Sequence, residues 1–87
     1  MRMDFKDMPI GTYFCSDMDW PDHSITYDLY VKENDNVGTI INKDGSSGNR
    51  VSMSTFRNLQ TYPDLETGLK EVYKWNIMIV QVRNTNI

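Results

Sequence analysis

The residues best suited to chemistry lie in one short segment, SDMDWPDHS at positions 16–24, which holds three aspartates and the only histidine of the chain. Carboxylate oxygens bind hard cations, but a calcium loop of the EF-hand type needs an acid at position 5 and a glycine at position 6. Counted from Asp17, those positions hold Pro21 and Asp22. A transition-metal site needs further nitrogen or sulfur ligands, and only Cys15 is near. The pattern predicts no metal and no cofactor.

Cys15 and His23 are the one nucleophile and base that this region offers. A thiol becomes a catalytic nucleophile when a base is held beside it and a third group orients that base. The pair is eight residues apart at a strand end, and the sequence specifies no orienting group. The motifs GxSxG, CxxC, HExxH, the P-loop and GxGxxG are all missing from the sequence. We predict that the protein is not an enzyme and that Cys15 is a small hydrophobic residue of a strand.

Two predicted strands flank this segment and must position it. Residues 10–17 are rich in β-branched and aromatic side chains and follow Pro9. Over residues 24–33 two sets of side chains alternate: Ile25, Tyr27, Leu29 and Val31 with Thr26, Asp28, Tyr30 and Lys32. Alternation with period two indicates a strand with one buried and one solvent face. It places Tyr30 on the solvent face.

The rest of the chain predicts further strands and one helix. Residues 37–43 are a third strand, 44–50 have the composition of a flexible loop, and 51–53 form a short strand before a turn. From residue 64 the apolar spacing becomes helical: Leu65, Leu69, Val72 and Tyr73 fit i, i+4, i+7 and i+8. Asp64 is a good N-cap, whereas Gly68 argues against the helix. Residues 76–83 are strongly strand-forming.

These elements predict a single α+β domain over residues 1–87. Its core is a curved antiparallel sheet of four or five strands that begins as a β-meander, with one helix near residues 64–74 packed on it. A small SH3-like barrel is the alternative.

Composition indicates a folded, cytoplasmic protein. One cysteine excludes a disulfide scaffold, the N-terminus lacks a signal peptide, and the longest aliphatic run, residues 77–80, is too short for a membrane span. Eight asparagines and six methionines are typical of a small accessory protein of an AT-rich or viral genome, in which case the location is the host cytoplasm.

The distribution of charge gives the functional prediction. Residues 1–35 carry a net charge of −5 and residues 36–87 one of +2. An acidic half favours a protein partner with a basic or partly apolar surface, although ordinary solubilising charge is the simpler explanation. Tryptophan is enriched at binding hot spots, and Trp20 is either such an anchor or a lid over the core. We predict a non-enzymatic protein-interaction module, an inhibitor of or accessory factor to another macromolecule. The predicted contact residues are Asp17, Asp19, Trp20, Asp22 and Tyr30.

A small nucleic-acid-binding β-domain is the alternative function. Aromatic side chains on a sheet, flanked by basic residues, are a common platform for single strands. The residues that would serve here are Tyr13, Tyr30, Lys32, Arg50 and Arg57. The sequence pI of 4.9 and the acidic first third disfavour this function, since phosphate binding needs clustered positive charge.

Overall fold

Six strands and two helical segments make up the part of the chain that the structure describes. This computed structural model describes residues 1–19, 21–22 and 25–74, and for residues 18, 19 and 25 only the backbone is described. The strands are β1 (Arg2–Met3), β2 (Tyr13–Asp19), β3 (Ile25–Lys32), β4 (Val37–Ile41), β5 (Ser47–Ser52) and β6 (Leu59–Tyr62). A 3-10 turn covers Phe5–Asp7, and helix α1 covers residues 65–74.

The strands form one antiparallel sheet in the order β1-β6-β2-β3-β4-β5. The predicted α+β fold, with its β2–β3–β4 meander and its helix, is confirmed. Within the described residues the sheet does not close, so the SH3-like barrel is not formed. The strand predicted over residues 76–83 lies outside the described residues.

The sequence assigned too few strands because the additional ones are polar or short. Residues 47–50, predicted as loop, begin β5, which pairs with β4 around an irregularity between Thr39 and Ile41. Such an edge strand needs only backbone pairing on one side and carries little hydrophobic pattern. Residues 59–62 form β6, which pairs with both β1 and β2.

Helix α1 begins where the sequence predicts. The side chain of Asp64 accepts a hydrogen bond from the backbone N–H of Thr67 at 2.7 Å, which is the N-cap arrangement. This bond lowers the pKa of the Asp64 carboxyl. Gly68 is tolerated because it lets the helix approach the sheet: a Cβ added there would lie 2.8 Å from Leu29 Cδ1.

Both faces of the sheet are covered. On one face α1 closes a cluster of Cys15, Leu29, Ile41, Val72 and Tyr73. On the other face the N-terminal segment and residues 53–59 close a second cluster, whose buried members are Phe5, Met8, Phe14, Tyr30, Ile40, Met53 and Leu59. No helix within the described residues has the length and the apolar character that crossing a bilayer requires.

The predicted solvent face of β3 is wrong. Tyr30 is 0% exposed and stacks on Phe14 with ring centroids 5.5 Å apart, whereas Tyr27, expected inside, is 56% exposed. The alternation is real, but both faces of β3 are covered beside β4, whereas Tyr27 pairs with Asp17 of β2 beyond the ends of the β4 and β6 ladders. Whether a side chain of β3 is buried therefore depends on how far along the strand it lies, and not only on which face it occupies.

Lys32 links the N-terminal segment to the sheet through side-chain hydrogen bonds. Its side chain is buried, and its Nζ donates hydrogen bonds of 2.8 Å to the backbone oxygens of Phe5 and Met8. The same ammonium lies 4.8 Å from the centroid of the Phe5 ring. These contacts replace water around the charge, because a buried ammonium needs acceptors for its protons.

Candidate functional site

The β2–β3 hairpin extends beyond its neighbours on both sides. Strand β6 pairs with β2 only over residues 13–15, and β4 pairs with β3 only over residues 29–32. Residues 16–19 and 25–28 pair with each other, and no other described strand pairs with them. We call these eight residues the acidic arm, because the chain from 16 to 28 holds four aspartates and no lysine or arginine.

The predicted contact residues fall partly on this arm. Asp17 is exposed on β2, Asp22 is exposed in the turn, and the backbone of Asp19 ends β2. Trp20 lies outside the described residues. Tyr30 is buried beneath the N-terminal segment, so its hydroxyl and ring do not belong to an exposed contact surface.

Among the described residues, no strand pairs with the backbone of the arm on its β2 side. The backbone N–H of Lys32 donates to Thr12 O at 2.9 Å, which makes residues 12 and 32 a hydrogen-bonded pair. Pairing alternates along an antiparallel ladder, so even-numbered residues of β2 bond to β3 and odd-numbered residues face the other way. Asp17 and Asp19 therefore direct their N–H and C=O groups to the open edge. The carbonyl of Asp17 accepts a 3.0 Å bond from the Ser16 hydroxyl.

A groove of about 420 Å³ lies along this edge. It opens because continuing the register that pairs Cys15 with Gln60 would bring Asn58 opposite Asp17, but the chain turns away there with φ of 55° at Asn58. Asparagine tolerates this left-handed conformation better than most residues. The groove is lined by Arg2, Cys15, Ser16, Asp17, Tyr27, Phe56, Arg57, Asn58, Leu59 and Gln60.

Hydrogen bonds fix the segment around Asn58, where the chain turns away from the sheet. The backbone N–H of Asn58 donates to the Asp4 carboxylate at 3.0 Å, and its carbonyl accepts from Arg2 Nη1 at 3.0 Å. The Phe5 N–H bonds to Phe56 O at 3.0 Å. The wall of the groove is therefore built into the fold.

Cys15 and two tyrosines join the base of the arm to the body of the sheet. Cys15 Sγ lies 2.7 Å from Tyr27 Oη, and Tyr62 Oη donates to Cys15 Sγ at 3.3 Å. The hydrogen bond to Cys15, followed by burial, raises the pKa of Tyr27 to about 12. Burial, followed by its own bond to Cys15, raises the pKa of Tyr62. Cys15 is buried, as the sequence predicts, and its described partners are phenols. His23, the one base that the sequence offers near Cys15, lies outside the described residues.

Sequence reasoning missed the two tyrosines because each belongs to a different strand. Tyr27 and Tyr62 meet Cys15 only through the β3-β2-β6 order, and β6 was not predicted. The exposed Tyr27 is the residue that a period-two pattern assigns to the interior.

The five residues of the nucleic-acid alternative do not form one surface. Tyr30 belongs to the cluster beneath the N-terminal segment, whereas Tyr13 packs against the cluster beneath α1. Lys32 is buried, and Arg50 forms a 2.7 Å ion pair with Glu33. Arg57 alone among them lines the groove.

Comparison of the chain with protein family models, curated proteins and solved structures finds no match. Within the described part of the chain, no group of three or more histidine, cysteine, aspartate or glutamate side chains is arranged to hold a metal ion.

Proposed function

We propose that the protein is a protein-interaction module that binds an extended, basic segment of a partner protein along the β2 edge of the acidic arm. One observation carries the proposal: the hairpin extends beyond β6, so that the backbone groups of Asp17 and Asp19 face a groove at an edge with which no other described strand pairs. An extended peptide adds to such an edge by forming main-chain hydrogen bonds, and side-chain pockets supply specificity.

Charge selects the kind of segment. Asp17 is exposed on the arm, and the described residues place no lysine or arginine within ion-pair distance of it. Aspartates along the arm attract lysine and arginine side chains of an added strand and suppress acidic competitors. Binding by strand addition requires no catalytic group. The protein's activity is to occupy a partner's segment, as an inhibitor or an accessory factor does.

Trp20 keeps its predicted role within this proposal. It lies in the sequence between the two strands of the arm, and tryptophan is among the residue types most enriched at binding hot spots.

A synthetic peptide of alternating lysine and valine, six residues long with a free carboxyl terminus, tests the proposal by calorimetric titration. Asp17→Pro removes the backbone N–H that faces the open edge and leaves the β3 ladder intact, because proline is tolerated where an edge N–H faces outward. We expect this variant to bind the peptide about tenfold more weakly than the wild type, a loss of about 1.4 kcal/mol.

Asp17→Asn is the matched control for charge. It keeps the backbone N–H and removes the carboxylate, so we expect a smaller loss of affinity together with a weaker dependence on salt. Ser16→Pro is the control for fold, because it removes an N–H that bonds to β3 and should destabilise the arm. Equal affinity of the wild type and Asp17→Pro for the peptide would contradict the proposal.

A further inference from the structure

The groove and the register of β6 together set the direction in which a bound peptide would run. A peptide that pairs antiparallel with β2 beside Asp17 runs collinear with β6 and in the same direction as β6. Its carboxyl end therefore points toward Leu59 and the place where the chain leaves the sheet at Asn58. Its amino-terminal residues lie toward Asp19 and the turn.

The charge along the groove changes sign in the same direction. Arg2 and Arg57, both exposed, line the end of the groove beside Asn58, whereas the aspartates lie along the arm. Arg2 uses one N–H of its guanidinium for Asn58 O. The remaining N–H groups of Arg2, and all those of Arg57, have no partner among the described residues. Guanidinium groups are suited to carboxylates, because their fork of donors matches two oxygens.

The fold explains why both arginines lie near Asn58. Arg2 pairs with Gln60 through β1 and β6, which places it one strand beyond the open edge and on the same face as Gln60. Arg57 directly precedes Asn58, the residue at which the chain turns just before β6 begins. The Phe5 to Phe56 bond and the Asp4 to Asn58 bond hold that turn.

We infer that the edge binds the carboxyl terminus of its partner protein, with the free α-carboxylate held by Arg2 and Arg57. The basic residues upstream of that terminus then lie along Asp17 and Asp19. The inference rests on the proposed function and specifies it: the occupant is the last few residues of a chain, antiparallel to β2, basic in its side chains and free at its end. Addition of a strand to a sheet edge and capture of a terminal carboxylate are each established modes of peptide recognition.

Two versions of the lysine–valine peptide test this, one with a free carboxylate and one with a carboxamide. With the wild type we expect the carboxamide to bind about tenfold more weakly, since it loses charge-assisted hydrogen bonds. With the double variant Arg2→Gln and Arg57→Gln we expect the difference to fall to about twofold, because the charged partners are gone. Arg50→Gln removes one positive charge beside Glu33, away from the groove, and should keep the tenfold difference.

The outcomes separate this inference from the proposed function. If both peptides bind the wild type equally and Asp17→Pro weakens both, strand addition stands and carboxylate capture is wrong. If neither peptide responds to Asp17→Pro, both ideas are wrong. If sedimentation shows a dimer that Asp17→Pro abolishes, a second copy of this chain occupies the edge and the assignment to a partner's carboxyl terminus is overturned.

Discussion

The hydroxyl of Tyr73 lies inside the β3–β4 ladder, 3.2 Å from the backbone nitrogen of Leu29, from which it accepts a hydrogen bond. The same hydroxyl donates to Ile41 O at 2.6 Å. Leu29 and Ile41 are register partners, so a side chain from α1 replaces a direct bond between the two strands at the point where they separate. The arm begins at this point. Helix α1 therefore supplies the contact at which the β3–β4 ladder ends.

Replacing Tyr73 with phenylalanine should therefore lower the stability of the whole fold. The change leaves a buried N–H and a buried C=O without their shared partner, which costs about 2–4 kcal/mol of unfolding free energy. Urea unfolding at neutral pH measures the loss. Tyr13→Phe is the matched control, because the hydroxyl of Tyr13 has no hydrogen-bond partner among the described residues, and its effect should stay within about 0.5 kcal/mol. Equal losses for the two variants would show that the bridge contributes nothing.

Lys32→Met tests the buried ammonium. Methionine keeps most of the apolar stem but leaves the carbonyls of Phe5 and Met8 without the two 2.8 Å bonds they receive. We expect a loss of about 2–4 kcal/mol, somewhat offset by the removal of a buried charge. Lys43→Met changes an exposed lysine in the same way and should be nearly neutral. An unchanged urea midpoint for Lys32→Met would mean that the N-terminal segment is held by its apolar contacts alone.

The sequence identified the sheet and the helix because both have a regular pattern. The β3 alternation and the α1 stripe each gave an element of the right kind in the right place. The sequence did not predict correctly which face of β3 is exposed to solvent. Tyr30 and Lys32 are buried by Phe5 and Met8, which lie more than twenty residues earlier in the chain. A single strand cannot indicate how many layers pack on its sheet.

The candidate site was predicted in part for a related reason. Local composition marked Asp17, Asp19 and Asp22 as an acidic surface, and charge is visible in any sequence. The open edge depends instead on where β6 stops, which is decided by the backbone of Asn58 and its bonds to Asp4 and Arg2. Those residues are more than fifty positions apart, so no spacing rule links them.

Gly68→Ala is expected to destabilise the protein although alanine is the better helix former. The gain of about 1 kcal/mol in helix propensity is outweighed by a Cβ placed 2.8 Å from Leu29 Cδ1 and 3.1 Å from Cδ2, since Leu29 is fully buried. Overpacking of this kind costs about 1–3 kcal/mol. In a Leu29→Ala background the same substitution should become stabilising. A double-mutant cycle by urea unfolding measures the coupling, and additive effects would contradict the predicted contact.

Alkaline pH should weaken the base of the arm through Tyr27. Its pKa is raised to about 12, mainly by the hydrogen bond to Cys15, whereas an unfolded tyrosine titrates at about 10. The folded state thus holds the phenolic proton more tightly. The resulting stability is fully present below about pH 10 and is lost as the pH rises through 12. Absorbance titration at 295 nm compares the wild type with Tyr27→Phe. If the variant loses an ionisation step near pH 10 and none near pH 12, the bond to Cys15 does not hold the proton.

Amide hydrogen exchange by NMR, in the presence and absence of the lysine–valine peptide, tests strand addition at the arm most directly. In the free protein the amides of Ser16 and Met18, which bond to β3, should exchange slowly, whereas those of Asp17 and Asp19 should exchange fast. We predict that the peptide slows exchange at Asp17 and Asp19 and leaves Ser16 and Met18 slow. Binding of the peptide with no change in exchange at Asp17 and Asp19 would contradict the account.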